Sequence, residues 1–497
     1  MISCKKIILH GVNCLAFNSI VFGAFLVIVF MLYWILPPKF RWIVLLAASC
    51  GFYMSWGPQF VLLLLYTTIA SYFCAGMVAK AKEKKHKKAW LWAGVLSSLA
   101  VLLFFKYFNF FAQSTVNVLR LFSLPVSGIA LKILLPVGIS FYTFQTLSYV
   151  IDVYRGKIEP EKHFGYYALF VSFFPQIVAG PIARPGALIP QLKEEQKFSY
   201  DKATYGLKLM AWGFFKKVAI ADVAAIMINT VYSNVAAYKG VTMMAAAVLF
   251  SIQIYCDFSG YTDIARGAAK LFGYELMINF NAPYFSKSIK EFWQRWHISL
   301  SSWFRDYLYI SLGGNRVVFP RALLNLFITF LVSGLWHGAN WTFVIWGAYH
   351  GAFIVIETLF AKLSKKKKTE KAPSKLWSIL GPIWVFFIVC VSWVFFRAGS
   401  FQDAVLALKN MTKIGSVVEE VKIAFRLLSL SKPATVLLAV NIATLFAFDF
   451  FSLKKDPIES VSGKPLVMRW LVYMLIALVV SYSFTMASNS SFIYAQF

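Results

Sequence analysis

The chain has 497 residues, 59% hydrophobic and only 14% charged, with a formal net charge of +28 and a mean hydropathy of +0.67. Soluble globular proteins carry about 25% charged residues, so lipid must cover much of this surface. The excess charge sits in short lysine runs beside apolar stretches, the pattern of cytoplasmic loops. It does not describe a nucleic-acid-binding face.

In chain order, apolar runs cover 16–36, 42–56, 60–79, 90–110, 131–152, 165–183, 205–230, 241–257, 321–336, 339–361, 376–396, 433–452 and 468–486. About 20 apolar residues cross a bilayer core. Several of these runs are shorter, and others are broken by Pro, Gly or polar residues. The pattern predicts an all-α polytopic membrane protein with about ten to twelve crossings and one or two re-entrant segments. It reads as one integral-membrane domain over 1–497, with peripheral helices over 16–110, a core over 131–361 and C-terminal helices over 376–486.

Ala16–Leu36 has no small-x-small cleavage pattern closing it, so it reads as a first transmembrane helix and not as a signal peptide. The basic clusters Lys80–Lys88, Lys362–Lys368 and Lys454–Lys455 belong on the cytoplasmic side. Counting spans from them puts both termini outside, although Lys5 and Lys6 argue mildly against that at the N-terminus. Cys4, Cys14, Cys50, Cys74, Cys256 and Cys390 form no CxxC pair and read as small hydrophobes.

Two interrupted spans, Pro136–Gln145 and Phe174–Arg184, free backbone groups that Ser140, Thr143, Gln145 and Gln176 can satisfy. The same side chains are suited to lining a tunnel. Asp257-Phe-Ser-Gly-Tyr-Thr-Asp-Ile-Ala-Arg266 follows an apolar run directly and contains Asp257 and Ser259. Its Asp263 and Arg266 are spaced to pair across one helical turn. The cluster reads as a structural ion pair or as part of a binding site. From Asp257 to Arg321 the chain is too polar for a lipid-facing helix and too aromatic for a free loop, which predicts short amphipathic helices packed on the membrane domain. A plain connecting loop is the competing reading.

His337 lies within an apolar run, in Leu335-Trp-His-Gly-Ala-Asn-Trp341, and His297 in Phe292-Trp-Gln-Arg-Trp-His-Ile-Ser-Leu300. An ionisable ring at membrane depth is expensive and usually has a task. Burial keeps such a ring neutral, so that one nitrogen can accept a proton. Gly334 and Gly338 allow close approach beside His337, and Asn340 would share its face if the segment is helical. On a helix, His297, Ser301, Phe304 and Leu308 would share one face, with Arg305 near it and Asp306 placed to hold Arg305. The alternatives stay open: a buried histidine bridging helices for His337, and an interfacial helix with a merely polar His297. Two histidines forty residues apart with no third partner make a weak metal-ligand set.

Together these stretches resemble the membrane-bound O-acyltransferases, and within them the bacterial branch of alginate O-acetylation and teichoic acid D-alanyl transfer. The resemblance rests on Asp257–Arg316 and Leu335–Trp341, with support from Pro136–Gly156, Phe173–Arg184 and the tail Phe492–Phe497. It covers residues 16 to 490 or so. It implies a helical bundle with re-entrant and short amphipathic helices around a central funnel. It also implies His337 as the active-site histidine and His297 as its companion in an Arg-Trp-His-x-Ser motif. By the same resemblance, an acyl thioester such as acetyl-coenzyme A is the donor substrate, with no tightly bound cofactor and no metal. The acceptor is an extracytoplasmic polysaccharide in a bacterial inner membrane system, and an SGNH serine-esterase-like partner completes the transfer outside.

Within that frame Trp336, Asn340, Trp341, Asp257, Ser259 and Gln176 are candidates for donor or substrate contacts. Lys290, Arg295, Arg305 and Asp306 form a charged set suited to an anionic donor. D-alanyl transfer from a carrier protein is the alternative within the family. A proton-coupled transporter is the alternative outside it, although no internal repeat of the transporter kind is visible.

Overall fold

A computed structural model of the chain describes residues 15–124, 126, 131–178, 180–363, 375–428 and 430–486. Cys4, Lys5, Lys6, Cys14, the run Lys365–Lys368 and the tail Phe492–Phe497 lie outside the described residues. Every regular element among the described residues is helical.

Among the described residues, eight helices are long and apolar enough to cross a membrane: Pro58–Lys80, Lys84–Leu121, Gly240–Leu271, Phe319–His337, Trp341–Leu363, Leu376–Arg397, Lys432–Ser452 and Leu466–Met486. The expected all-helical, multi-pass architecture is therefore present. Ile20–Ile35 is apolar but shorter. The runs expected to span at 131–152, 165–183 and 205–230 are broken into pieces. Ile139–Tyr154 begins only after Gly138, which adopts φ +75° and packs so closely on the Ile177 carbonyl that a Cβ would collide with it. Phe164–Ser172 and Phe174–Ile177 are separated at Phe173, where Pro175 opens the second helix. Tyr200–Phe214 passes into a π-helical stretch, Phe215–Asp222, before Val223–Ser233 resumes.

One difference from the sequence reading concerns the run expected to end at 257. The helix Gly240–Leu271 continues through the whole Asp257–Arg266 cluster. Its polar residues are tolerated because protein surrounds them: Asp257, Ser259 and Thr262 are all buried. Short helices appear only beyond it, at Pro283–Phe285, Ile289–Arg295, Ile298–Trp303 and the π-helical Phe304–Tyr309.

Packing divides the described residues into two compact units, one from 15–207 and 265–277, the other from 208–264 and 278–486. In the first unit, polar side chains tie helices together inside an apolar mass. Tyr33 and Tyr274 share a 2.9 Å hydroxyl contact, Ser71 and Tyr167 one of 2.6 Å, and Trp34 Nε1 donates to the Leu271 carbonyl at 3.1 Å. Such bonds satisfy groups that would otherwise be stranded away from water.

The second unit carries both candidate histidines. Gly213 and Gly260 let two of its helices touch backbone to backbone: a Cβ on either would lie 2.6–2.7 Å from the other's carbonyl oxygen. Small residues at helix crossings serve membrane bundles this way, since burial against lipid gives no hydrophobic drive. The helix Leu466–Met486 presents most of its apolar surface outward, as a lipid-facing helix must.

Candidate active site

His337 is the last residue of the helix Phe319–His337, and Gly338 leaves that helix in an extended conformation. A Cβ on Gly338 would fall into the Phe343 ring, so the chain turns tightly before the next helix begins at Trp341. The break corrects the expectation for Asn340. It is not on the face of His337. Its Oδ1 accepts from the Thr342 N–H at 3.0 Å and its Nδ2 donates to the Gly399 carbonyl at 3.4 Å, so it caps the following helix.

The His337 ring is buried, 3% exposed, within an aromatic box. Trp346 meets it edge to face at 4.9 Å and 84°, Trp336 at 5.0 Å and 81°, and Phe396 at 5.4 Å and 70°. Trp346 stacks in turn on Trp393 at 5.6 Å and 24°. These contacts fix the ring plane without adding charge.

His297 lies 6.3 Å from His337, centroid to centroid, with the planes at 62°. Two histidines forty residues apart in sequence are thus brought to one place. His297 is not inside a helix, as the shared-face pattern assumed. It precedes the short helix Ile298–Trp303 with φ +44°, a left-handed conformation that costs a non-glycine residue energy and therefore needs support. Asn279 supplies that support. Its backbone carbonyl accepts from Ile298 N–H at 2.9 Å, and its Oδ1 accepts from Ser299 N–H at 3.0 Å and lies 3.2 Å from His297 Nδ1.

The backbone N–H of Ser299 can only donate, which identifies the atom it touches as the amide oxygen. His297 Nδ1 must then carry the proton and donate, so Nε2 presents its lone pair. Burial holds the His297 pKa down to about 3, so this tautomer stays neutral. Phe258 packs edge-on against the same ring at 4.6 Å.

The other candidates are placed as follows. Trp336 is buried beside both histidine rings, 6.1 Å from His297 and 5.0 Å from His337, whereas Trp341 is 55% exposed. Arg295 pairs with Glu291 at 2.8 Å, and Arg305 donates from Nε to Asp306 at 2.9 Å, the pairing expected for Asp306. Lys290 is exposed, and its backbone N–H donates to Glu357 at 3.0 Å. Gln176 belongs to the first unit, where its Nε2 donates to the Phe170 carbonyl at 2.7 Å.

Asp257 sits 2.6 Å from the buried ammonium of Lys217, which also holds Asp222 at 2.8 Å. Asp263 pairs with Lys216 at 2.6 Å, a partner that local spacing did not offer. The π-helical stretch aims two consecutive lysines, Lys216 and Lys217, at the helix opposite. Among the described residues, no three of His, Cys, Asp and Glu gather as a metal-sized cluster.

Sequence reasoning missed Asn279, Trp346 and the third buried histidine of this unit, His350. The signal for His350 was available: it is an ionisable ring inside the expected span 339–361, one helical turn after Trp346.

Residues 160–400 match the model of the membrane-bound O-acyltransferase family. The chain is 40% identical over 407 residues to the "probable alginate O-acetylase" of Pseudomonas aeruginosa, covering 81% of this chain and 76% of the relative. It is 34% identical over 435 residues to the peptidoglycan O-acetyltransferase of Helicobacter pylori, covering 81% of each. The teichoic acid D-alanyltransferase of Bacillus subtilis is 31% identical over 290 residues, covering 53% of this chain and 69% of that protein.

Proposed function

This chain belongs to the membrane-bound O-acyltransferase family, and from that premise we propose that it moves an acetyl group from a cytoplasmic thioester, acetyl-coenzyme A, toward hydroxyls of an extracytoplasmic polysaccharide. Its place is the bacterial cytoplasmic membrane, with a serine-esterase-like (SGNH) partner completing the transfer outside. The observation that carries this reading is the pair His337 and His297, 6.3 Å apart in an aromatic box within a membrane-spanning unit.

In this reading His337 is the general base. The attacking hydroxyl gives its proton to a His337 ring nitrogen as its oxygen bonds to the thioester carbonyl carbon. The tetrahedral intermediate then collapses, the C–S bond breaks, and the imidazolium returns the proton to the departing thiolate. A positioned base of this kind is typically worth about 10²–10⁴ in rate. The neighbouring Trp336, whose indole N–H is a donor, orients the carbonyl. His297, held as the Nδ1–H tautomer, stays a neutral companion and does not compete for the proton. Lys290, Arg295 and Arg305 offer long-range attraction to an anionic donor.

The test is His337→Ala in the full chain. Ester-linked acetate on the surface polymer is expected to fall to background while the protein still reaches the membrane. Wild-type acetate from that variant overturns the reading.

A second reading, D-alanyl transfer from a carrier-protein thioester, is favoured by the similarity to the teichoic acid enzyme. Calorimetric titration of the purified protein separates the two. Binding of acetyl-coenzyme A supports the first, and binding only of an acyl-loaded carrier supports the second.

A further inference from the structure

Deeper in the same helix pair, 0% exposed, lies His350, and both of its ring nitrogens are engaged. Trp293 Nε1 lies 3.3 Å from its Nδ1, and Ser392 Oγ lies 3.0 Å from its Nε2. An indole N–H can only donate, so Nδ1 is the acceptor and the proton sits on Nε2. That Nε2–H donates to Ser392 Oγ, whose own hydrogen goes to the Val389 carbonyl at 2.7 Å. The chain Trp293 → His350 → Ser392 → Val389 therefore runs in one direction and closes on backbone. It ties the short helix Ile289–Arg295 and the helices Trp341–Leu363 and Lys375–Arg397 to one ring.

That ring also braces Trp346. The two are one helical turn apart and meet at 4.9 Å and 68°. Trp293 closes on Trp346 from another side at 5.6 Å and 75°. Trp346 is the wall against which His337 rests. We propose that His350 is a positioning residue for the acyl transfer: a histidine locked as its neutral Nε2–H tautomer by Trp293 and Ser392, which fixes the Trp346 plane and, through it, the angle of the His337 ring. The inference rests on the reading of His337 as base. His350 takes no proton from substrate, because its one lone-pair nitrogen is already occupied by an indole N–H.

Its conservative replacements are not equivalent, and the hydrogen-bond direction ranks them. His350→Asn can keep an acceptor toward Trp293. His350→Phe keeps the ring volume and loses both bonds. Ser392→Ala removes only the partner of Nε2.

Two readouts are needed: ester-linked acetate on the surface polymer per amount of membrane protein, and the ethoxyformylation rate of individual histidines in purified protein treated with diethyl pyrocarbonate. A slight misplacement of a reacting group can cost up to about a hundredfold, and His350→Phe is expected to lower acetate at least tenfold on that scale. It is expected to change the modification rate of His337 while leaving His297 unchanged, and His350→Asn is expected to recover most of both readouts.

Normal acetate from His350→Phe overturns the proposal. So does lost acetate with an unaltered His337 rate, or equal changes at His337 and His297, which would report general loosening. If His350→Phe does not accumulate in membranes, Ser392→Ala decides: a fall of a few fold supports the brace, and a wild-type value overturns it. His337→Ala is measured alongside. Full acetate there removes the base reading and this proposal with it, whereas background acetate there with normal His350→Phe removes only the brace.

Discussion

Gly334 and Gly347 meet face to face where the helices carrying His337 and His350 cross. A Cβ on Gly334 would lie 2.8 Å from Gly347 Cα, and one on Gly347 would lie 3.0 Å from Gly334 Cα. Gly351, one turn further on, packs against Phe327 and Phe330 of the partner helix. This small-residue seam sets how closely Trp346 and His337 approach, because both side chains sit beside the crossing.

Gly347→Ala is expected to push the two helices apart. Overpacking of this kind costs about 1–3 kcal/mol, which a membrane bundle can survive, but the His337–Trp346 contact shifts with it. The protein should still insert, with polymer acetylation reduced roughly tenfold or more. Acetate per membrane-inserted protein checks this. Wild-type activity from Gly347→Ala would show that the helix spacing does not control the site.

Lys217 is one cation between two buried carboxylates, Asp222 and Asp257. Removing one partner of a buried ion pair costs about 3–5 kcal/mol, because a charge is stranded. Lys217→Met is therefore expected to sharply reduce the amount of folded protein in membranes. The double variant Lys217→Met, Asp257→Asn should recover part of it by removing one stranded carboxylate. Detergent extraction with a fluorescence-detected size profile reads both. A Lys217→Met protein with a normal profile would mean the triad is not holding the unit.

The helical, multi-pass class was legible because apolar runs of about 20 residues have no stable alternative in lipid. His337 was legible for the same reason in reverse, as a costly residue in such a run. The tautomers were not legible, because they depend on Asn279 and Trp293, which are 18 and 57 residues from the rings they touch. Nor was the partner of Asp257. No basic residue lies three or four positions from it; Lys217 lies forty residues earlier, on a π-helical stretch whose register no 3.6-residue pattern anticipates. Asn340 was misplaced for a local reason: Gly338 ends the helix one residue after His337, and the periodicity of the apolar run does not mark that stop.

His297 makes a prediction about acid. In the folded protein burial holds its pKa down to about 3, against an ordinary value near 6.5 in the unfolded chain. Between those values the unfolded state binds the extra proton, so stability rises with pH across that window. The contribution is fully present above about pH 6.5 and is lost as the pH falls toward 3. His297→Gln removes the titrating ring, and its melting temperature in detergent should depend less steeply on pH over that range than the parent's. Other acid-sensitive groups are shared by both proteins and cancel in the comparison. Asn279→Leu provides the complementary measurement: with no amide oxygen to accept from Nδ1, the left-handed turn at His297 loses its support, and the variant should melt lower at neutral pH as well. Parallel pH profiles for the parent and His297→Gln would mean that the ring accepts a proton inside the folded protein, and the neutral-companion role assigned to it would fall.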